Sequence, residues 1–156
     1  MTTLLVPVLL ASLASADSFM NDSVADPFAD GLTLGAPYAV VAEHWRGLGA
    51  AVTINTHDDR ATLVIDNENG RIVYLYSGES LLRAWLRRDP TDAAAFNAAV
   101  DHWWTRLSEL YGAHRYLGGL AALFWEAGPW RAALFYDLSG ARPDSVGSVT
   151  VSLELQ

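Results

Sequence analysis

The sequence predicts an α+β protein in which an antiparallel sheet, or two such sheets, is covered by helices packed on one face. Three observations indicate this class. Runs that alternate apolar with polar residues recur in both halves of the chain, turn dipeptides separate these runs, and apolar residues at helical spacing lie between them. We predict the order β-β-β-α-α-β-β-β after an apolar N-terminal helix. Residues 1–48 are assigned to an apolar N-terminal segment and acidic connector, and residues 49–156 to a single α+β domain.

The composition excludes several classes of site and partner. The chain has 156 residues, of which 51% are hydrophobic and 18% charged, as in a globular protein with a large core. It contains no cysteine, which excludes disulfides and cysteine-based sites. Its net charge of −8 argues against nucleic acids and anionic membrane surfaces, because their phosphates would be repelled. An acidic protein is better suited to a basic protein partner, which its field attracts.

The first 16 residues form an apolar run that ends in Ala14-Ser15-Ala16, a tripeptide resembling a signal-peptide cleavage site. No Lys or Arg precedes the run and Pro7 lies early in it, so we interpret the run as a helix docked on the protein's own core or on a partner. It is too short for a membrane span. We therefore expect a cytoplasmic or virion-associated protein rather than a secreted one.

The next segment predicts an irregular acidic connector, because it is rich in Asp, Ser, Gly and Pro. Residues 37–49 fit either a strand or a short helix. Residues 51–57 alternate apolar with polar side chains and predict a half-buried strand. Residues 61–77 predict a hairpin around Asn69-Gly70, the dipeptide typical of a type I′ turn, with Glu68 facing Arg71.

Two helices are predicted to follow this hairpin. Ser80 would cap the first, whose apolar side comprises Leu81, Leu82, Trp85 and Leu86. Asp89 would cap the second, with Pro90 at its first position and Gly112 at its end. Its apolar stripe comprises Phe96, Val100, Trp103, Leu107 and Leu110.

A second hairpin, residues 122–138, and a last strand, residues 149–156, complete the predicted fold. A two-residue turn at Gly128-Pro129 would pair Glu126 with Arg131. Because side chains alternate along a strand, the register then assigns the apolar residues to two faces. The first face carries Leu123, Trp125, Leu134, Tyr136 and Leu138, and the second carries Ala122, Phe124, Ala133 and Phe135.

This hairpin supplies the candidate interface residues. The second apolar face needs a cover, which is the protein's own helices or N-terminal run, a docked protein, or a ligand in a pocket. Trp130 lies at the turn beside Pro129, where burial within one domain is hard to arrange, so we predict an exposed anchor there. The interface candidates are Trp130, Arg131, Phe124 and Phe135.

No catalytic residue, metal site or cofactor is predicted. The four histidines lack the spacing of a zinc site, and the chain contains no Gly-x-Ser-x-Gly nucleophile motif. We therefore expect a non-catalytic protein that binds another protein or copies of itself. It would be a small assembly subunit, such as a virion neck or tail component, or an immunity- or inhibitor-like protein. The alternative is a small cyclase-like enzyme or a carrier, in which aromatic rings converge on a cavity lined by His44, His102 or Glu126.

Overall fold

The computed structural model describes residues 23–116, 122–138 and 146–156. Two helices and eight strands occur in these ranges. In chain order they are α1 (Tyr38–Gly47), β1 (Ala51–His57), β2 (Arg60–Asn67), β3 (Gly70–Ser77), β4 (Ser80–Arg88), α2 (Ala93–Tyr111), β5 (Arg115–Tyr116), β6 (Ala122–Ala127), β7 (Trp130–Asp137) and β8 (Ser148–Leu155).

The eight strands form one antiparallel sheet in the order β1-β2-β3-β4-β8-β7-β6-β5. Each half of the chain is a helix followed by four strands that pair in sequence order, and the two halves meet where β4 pairs with β8. In this central pair Leu86 lies opposite Val151 and Trp85 opposite Ser152. The last strand of each half is therefore central, and β1 and β5 are the two edges.

The α+β class is confirmed, but the predicted order of elements is wrong. Residues 38–47 form a helix, and the segment that begins at Ser80 forms strand β4 rather than a helix. Tyr76 pairs with Leu81 but Leu75 pairs with Arg83, so β4 contains one extra residue at a bulge. The bulge puts Leu81 on the same face as Ala84. This break in the alternation produced the apparent helical spacing.

Helix α2 begins three residues later than predicted. Asp92, not Asp89, is its N-cap, and the Asp92 carboxylate accepts a hydrogen bond from the backbone N–H of Ala95 at 2.8 Å. Asp89 instead accepts a hydrogen bond from Arg87. The predicted end at Gly112 is confirmed, with φ of 82°. The predicted stripe faces the core, where Phe96, Trp103 and Leu107 are buried.

The β2–β3 hairpin turns one residue earlier than predicted. Asn67 pairs with Gly70, so Glu68 and Asn69 form the loop, and Arg71 lies opposite Asp66 rather than Glu68. The Asn67 side chain accepts a hydrogen bond from the backbone N–H of Asn69 at 2.8 Å, which stabilises this turn. Arg71 Nε lies 2.7 Å from Asp66 Oδ1. Both registers put the same side chains on the same faces, so the core residues are unchanged.

The two helices and the segment before them pack on a single face of the sheet, here called the helical face. One cluster of buried residues joins Trp45 of α1, Trp103 of α2 and Phe28 of the connector with inward side chains of the strands. Phe28 packs edge-to-face on Tyr74 and on Trp103, with ring centroids 6.2 Å and 5.6 Å away. The described part of residues 1–48 therefore shares its core with residues 49–156.

Three tyrosine hydroxyls hold the acidic connector on this face. Tyr74 donates to the Asp26 carboxylate, Tyr76 to the carbonyl of Ala36 and Tyr111 to the carbonyl of Ala25. The predicted apolar N-terminal helix and the Ala14-Ser15-Ala16 tripeptide lie outside the described residues. Within the described ranges, no helix has both the length and the apolar character needed to cross a bilayer.

Candidate functional site

The hairpin formed by β6 and β7 has the predicted register. Glu126 lies opposite Arg131 and Leu123 opposite Leu134. The face that carries Trp125 and Leu134 is in the core, and both side chains are fully buried. The second predicted face, with Phe124 and Phe135, is on the opposite side of the sheet.

The prediction that Trp130 is exposed is wrong. Its side chain is only 5% exposed and belongs to the core cluster. In the observed register Trp130 lies opposite Ala127 and two residues before Ala132, so it shares the inward face with both. The alternation of side chains along the strand contains this signal, because Trp130 is two residues from Ala132 and four from the buried Leu134. Arg131, the next residue, is exposed on the other side.

Phe124 and Phe135 lie on the side of the sheet that faces away from both helices, here called the outer face. Their rings pack edge-to-face with centroids 5.9 Å apart. Phe135 is 39% exposed, whereas Phe124 is half-buried. No helix in the described ranges packs on the outer face, because the helical residues of the core cluster all contact inward side chains. The covering helix that the sequence suggested is therefore not found among the described residues.

A row of mainly apolar side chains crosses the middle of the outer face. The strand registers align its members across the sheet. The row consists of Val64, Val73, Trp85, Ser152, Ala133 and Phe124. Phe135 extends it on β7. This apolar strip continues over six neighbouring strands.

On one side of this row, charged residues alternate in sign. Arg83, Glu154, Arg131 and Glu126 lie side by side on β4, β8, β7 and β6. Arg131 Nε is 3.6 Å from Glu126 Oε1, and the Arg83 guanidinium lies 5.4 Å from the centre of the Trp85 ring. The outer face thus combines an apolar centre with a polar border, as protein interfaces do.

The charge of the described residues is unevenly divided between the two sides. The outer face carries six arginines, namely Arg60, Arg71, Arg83, Arg87, Arg115 and Arg131. It carries four acids, namely Asp66, Glu126, Asp137 and Glu154. The remaining described residues contain eleven acids and three arginines. An acidic protein therefore has one mildly basic face.

The helical face contains a cleft of about 370 Å³. Phe28, Trp45 and Trp103 form its aromatic wall, and the end of β4 contributes Arg88. The β2–β3 turn adds Asn67 and Asn69, and α2 adds His102 and Arg106. Of the cavity residues that the sequence named, His102 lies here, and His44 and Glu126 do not line this cleft.

Asp26 belongs to the connector and is only 2% exposed. Its carboxylate accepts hydrogen bonds from the backbone N–H of Phe28 at 2.9 Å and from the Tyr74 hydroxyl at 3.0 Å. Burial outweighs these bonds and raises the pKa of Asp26 to about 6. Burial likewise raises the pKa of Tyr74 well above its usual value. The tight enclosure of Asp26 favours a structural role for this carboxylate.

The histidines do not assemble into a recognisable catalytic group in the described residues. His57 Nδ1 lies 3.0 Å from Asp58 Oδ2, but both side chains are highly exposed at the β1–β2 turn. His102 packs edge-to-face on Trp103 at 5.0 Å. No group of three or more His, Asp or Glu side chains that could hold a metal ion occurs within the described ranges.

A comparison of the chain with protein-family models, with curated proteins and with solved structures finds no match to any of them.

Proposed function

We propose that this protein is a non-catalytic subunit of a protein assembly, and that the outer face of its sheet packs against the same face of a second copy. The observation that carries the proposal is the apolar row with its charged border, on which no helix of the described residues packs and beside which Phe135 is 39% exposed. Sheets stabilise an apolar face by packing it against another layer, and the described helices supply that layer on one side only.

The size of the outer face fits a stable contact. The eight strands comprise 56 residues, which at about 4.8 Å between strands and about 3.3 Å per residue cover roughly 900 Å². A specific protein interface of standard size buries about 800 Å² on each partner. Two such sheets packed face to face would form a β-sandwich with the helices on its outside.

The arrangement of side chains favours a second copy as the partner. A two-fold axis parallel to the strands, between β4 and β8, lays β4 of one copy over β8 of the other. Residues that are register partners within one sheet then face each other across the contact. Trp85 faces Ser152 of the second copy, a large side chain against a small one, and Arg83 faces Glu154. The central contact is therefore complementary to itself in both size and charge.

A second candidate partner is a basic protein bound on the helical side, as expected for an immunity- or inhibitor-like protein. The observation that favours it is the excess of eleven acids over three arginines among the described residues away from the outer face. Such an excess attracts a basic partner at long range. This contact would leave the outer face free, so the two proposals can be tested separately.

The first experiment measures the mass of the protein in solution by light scattering over a range of concentrations. We expect twice the chain mass of 16.9 kDa for the wild type. Phe124→Glu puts a charge into the apolar row, opposite Val64 of the second copy in this arrangement, and should give a monomer. Val40→Glu is the matched control, because Val40 is 48% exposed on α1 and far from the outer face. It should remain a dimer.

A charge-reversal experiment tests the two-fold arrangement itself. In the proposed dimer, Arg83→Glu would bring two like-charged pairs together across the contact, and so would Glu154→Arg. Each variant alone should be mainly monomeric, and an equimolar mixture should form a heterodimer because each contact then joins opposite charges. A monomeric wild type at every concentration would overturn the proposal. If each single variant dimerised as strongly as the wild type, the two-fold arrangement would be contradicted.

A further inference from the structure

We infer that the cleft on the helical face is a binding site for a small carboxylate with a flat apolar body, and that Arg88 holds the carboxylate. This inference does not depend on the proposed dimer, because the cleft lies on the opposite side of the sheet.

Arg88 is distinguished from the other arginines by its environment. Only Arg88 and Arg106 are partly buried among the described arginines, and the others are exposed. Arg106 pairs with Asp30, whereas Arg88 has no hydrogen-bond or ion-pair partner among the described residues. A charged group that is partly removed from water favours a counter-ion. Because no described residue supplies this counter-ion, its position beside Arg88 is open to a ligand.

The local backbone brings Arg88 to this position. Arg88 follows Leu86 on the inward side of β4 and lies at the last paired position of the strand, next to the β2–β3 turn. Gly70 lies beside it, and a Cβ at Gly70 would be 3.1 Å from Arg88 Cγ and 2.9 Å from the Arg87 carbonyl oxygen. The absence of a side chain at residue 70 thus lets the Arg88 stem pass close to the turn.

The rest of the cleft suits the apolar part of the ligand. Phe28, Trp45 and Trp103 give it aromatic walls, and Ile72 and Leu86 add aliphatic surface. A volume of about 370 Å³ lies in the usual range for small-molecule sites, about 300 to 1,000 Å³. Flat apolar groups pack well between such rings.

The polar groups of the cleft favour a single negative charge. Among the lining residues, Arg106 is paired with Asp30, whereas the positive charge of Arg88 has no counter-ion. The Asn67 and Asn69 amides can donate hydrogen bonds beside Arg88. The guanidinium fork matches a carboxylate in a bidentate arrangement. The Trp103 Nε1–H, buried and without an acceptor among the described residues, gives the wall a spectroscopic reporter.

The test uses indole-3-acetate as the probe and neutral indole-3-acetamide as its matched control. Isothermal titration calorimetry on the full chain should show at least tenfold tighter binding of the acetate, because only the acetate offers a full negative charge to Arg88. In nuclear magnetic resonance spectra, the Trp103 indole N–H signal should shift on titration. Arg88→Gln should bind the two probes equally, and weakly. Arg87→Gln should behave as the wild type, because Arg87 lies on the outer face and pairs with Asp89.

Three results would overturn the inference. The first is no binding of the acetate to the wild type at millimolar concentration, and the second is equal binding of the two probes by the wild type. The third is binding of the acetate by folded Arg88→Gln as tight as by the wild type. The comparison of the two probes on the wild type needs no variant, so it decides the question even if Arg88→Gln does not fold.

Discussion

The Tyr74 hydroxyl donates a hydrogen bond of 3.0 Å to the Asp26 carboxylate, across 48 residues of sequence. This contact ties the acidic connector to the centre of β3, and Tyr74 belongs to the core cluster. Asp26 also accepts from the backbone N–H of Phe28, so one carboxylate both shapes the connector and fixes it to the sheet. These contacts keep the Asp26 carboxylate almost completely out of water, which disfavours its ionised form.

The unfavourable burial of the ionised Asp26 carboxylate predicts that the stability of the protein depends on pH. The pKa of Asp26 is raised from 3.8 to about 6 by burial, so the folded state favours the protonated carboxyl. The stabilisation that the protonated Asp26 carboxyl gives to the folded state is fully present below about pH 3.8, and it is lost as the pH rises through about 6. It amounts to roughly 3 kcal/mol. Asp26→Asn cannot ionise and should lack this dependence.

Urea unfolding of the wild type and of Asp26→Asn, measured from pH 4 to pH 7, checks the prediction. The free energy of unfolding of the wild type should fall by roughly 2–3 kcal/mol relative to that of the variant over this range. Asp101→Asn, a substitution of an exposed acid on α2, should follow the wild type. Parallel curves for the wild type and Asp26→Asn would show that Asp26 is ionised at no cost in the folded protein.

Truncation of the Trp130 side chain should destabilise the protein strongly. The ring is 5% exposed and packs in the core, and removing a buried Trp side chain costs roughly 3–5 kcal/mol. Arg131→Ala should cost less than about 1 kcal/mol, because its ion pair with Glu126 is exposed. Thermal unfolding of both variants distinguishes the two sides of the strand. A melting temperature for Trp130→Ala equal to that of the wild type would mean that the ring is exposed after all.

The two aspartates before α2 should respond differently to substitution. Asp92→Ala removes the side chain that caps the helix and should lower the free energy of unfolding by about 1 kcal/mol. Asp89→Ala removes only an exposed pair with Arg87, and its effect should stay below about 0.5 kcal/mol. Chemical denaturation measures both. A larger effect for Asp89→Ala would return the start of the helix to the position that the sequence suggested.

Gly70 and Gly78 form a second matched pair, since both have positive φ at turns of the same meander. A Cβ at Gly70, where φ is 129°, would lie 2.9 Å from the Arg87 carbonyl oxygen. A Cβ at Gly78, where φ is 56°, would meet nothing within 4 Å. Gly78→Ala should therefore cost about 1–2 kcal/mol, the penalty for the left-handed region alone. Gly70→Ala should cost clearly more. Equal losses in denaturation experiments would mean that the chain relaxes around residue 70.

Elements with a clean pattern were predictable from the sequence. The alternation in residues 51–57 and 149–156 gave strands β1 and β8, and the helical stripe around Trp103 gave α2. The register of the β6–β7 hairpin was also correct, because a two-residue turn fixes every pair that follows it. In these segments the local pattern and the packed position agree.

The errors occurred where tertiary contacts outweigh the local pattern. A bulge interrupts the alternation in β4, and only its pairing with β3 and β8 makes that segment a strand. Arg88 stood out in no sequence pattern, because its unpaired state depends on where α2, the connector and the β2–β3 turn meet. The inward position of Trp130 follows from the alternation of side chains in the hairpin, whereas the neighbouring Pro129 suggests exposure.

Four features could be predicted from the amino-acid sequence: the mixed class, the antiparallel hairpins, the long helix, and the two apolar faces of the β6–β7 hairpin. These properties follow from the period of side chains along the backbone, which is local. No local pattern predicts which face the helices cover or which residues line the cleft. Both depend on how distant segments pack, because a side chain's burial is set by its neighbours in space rather than along the chain.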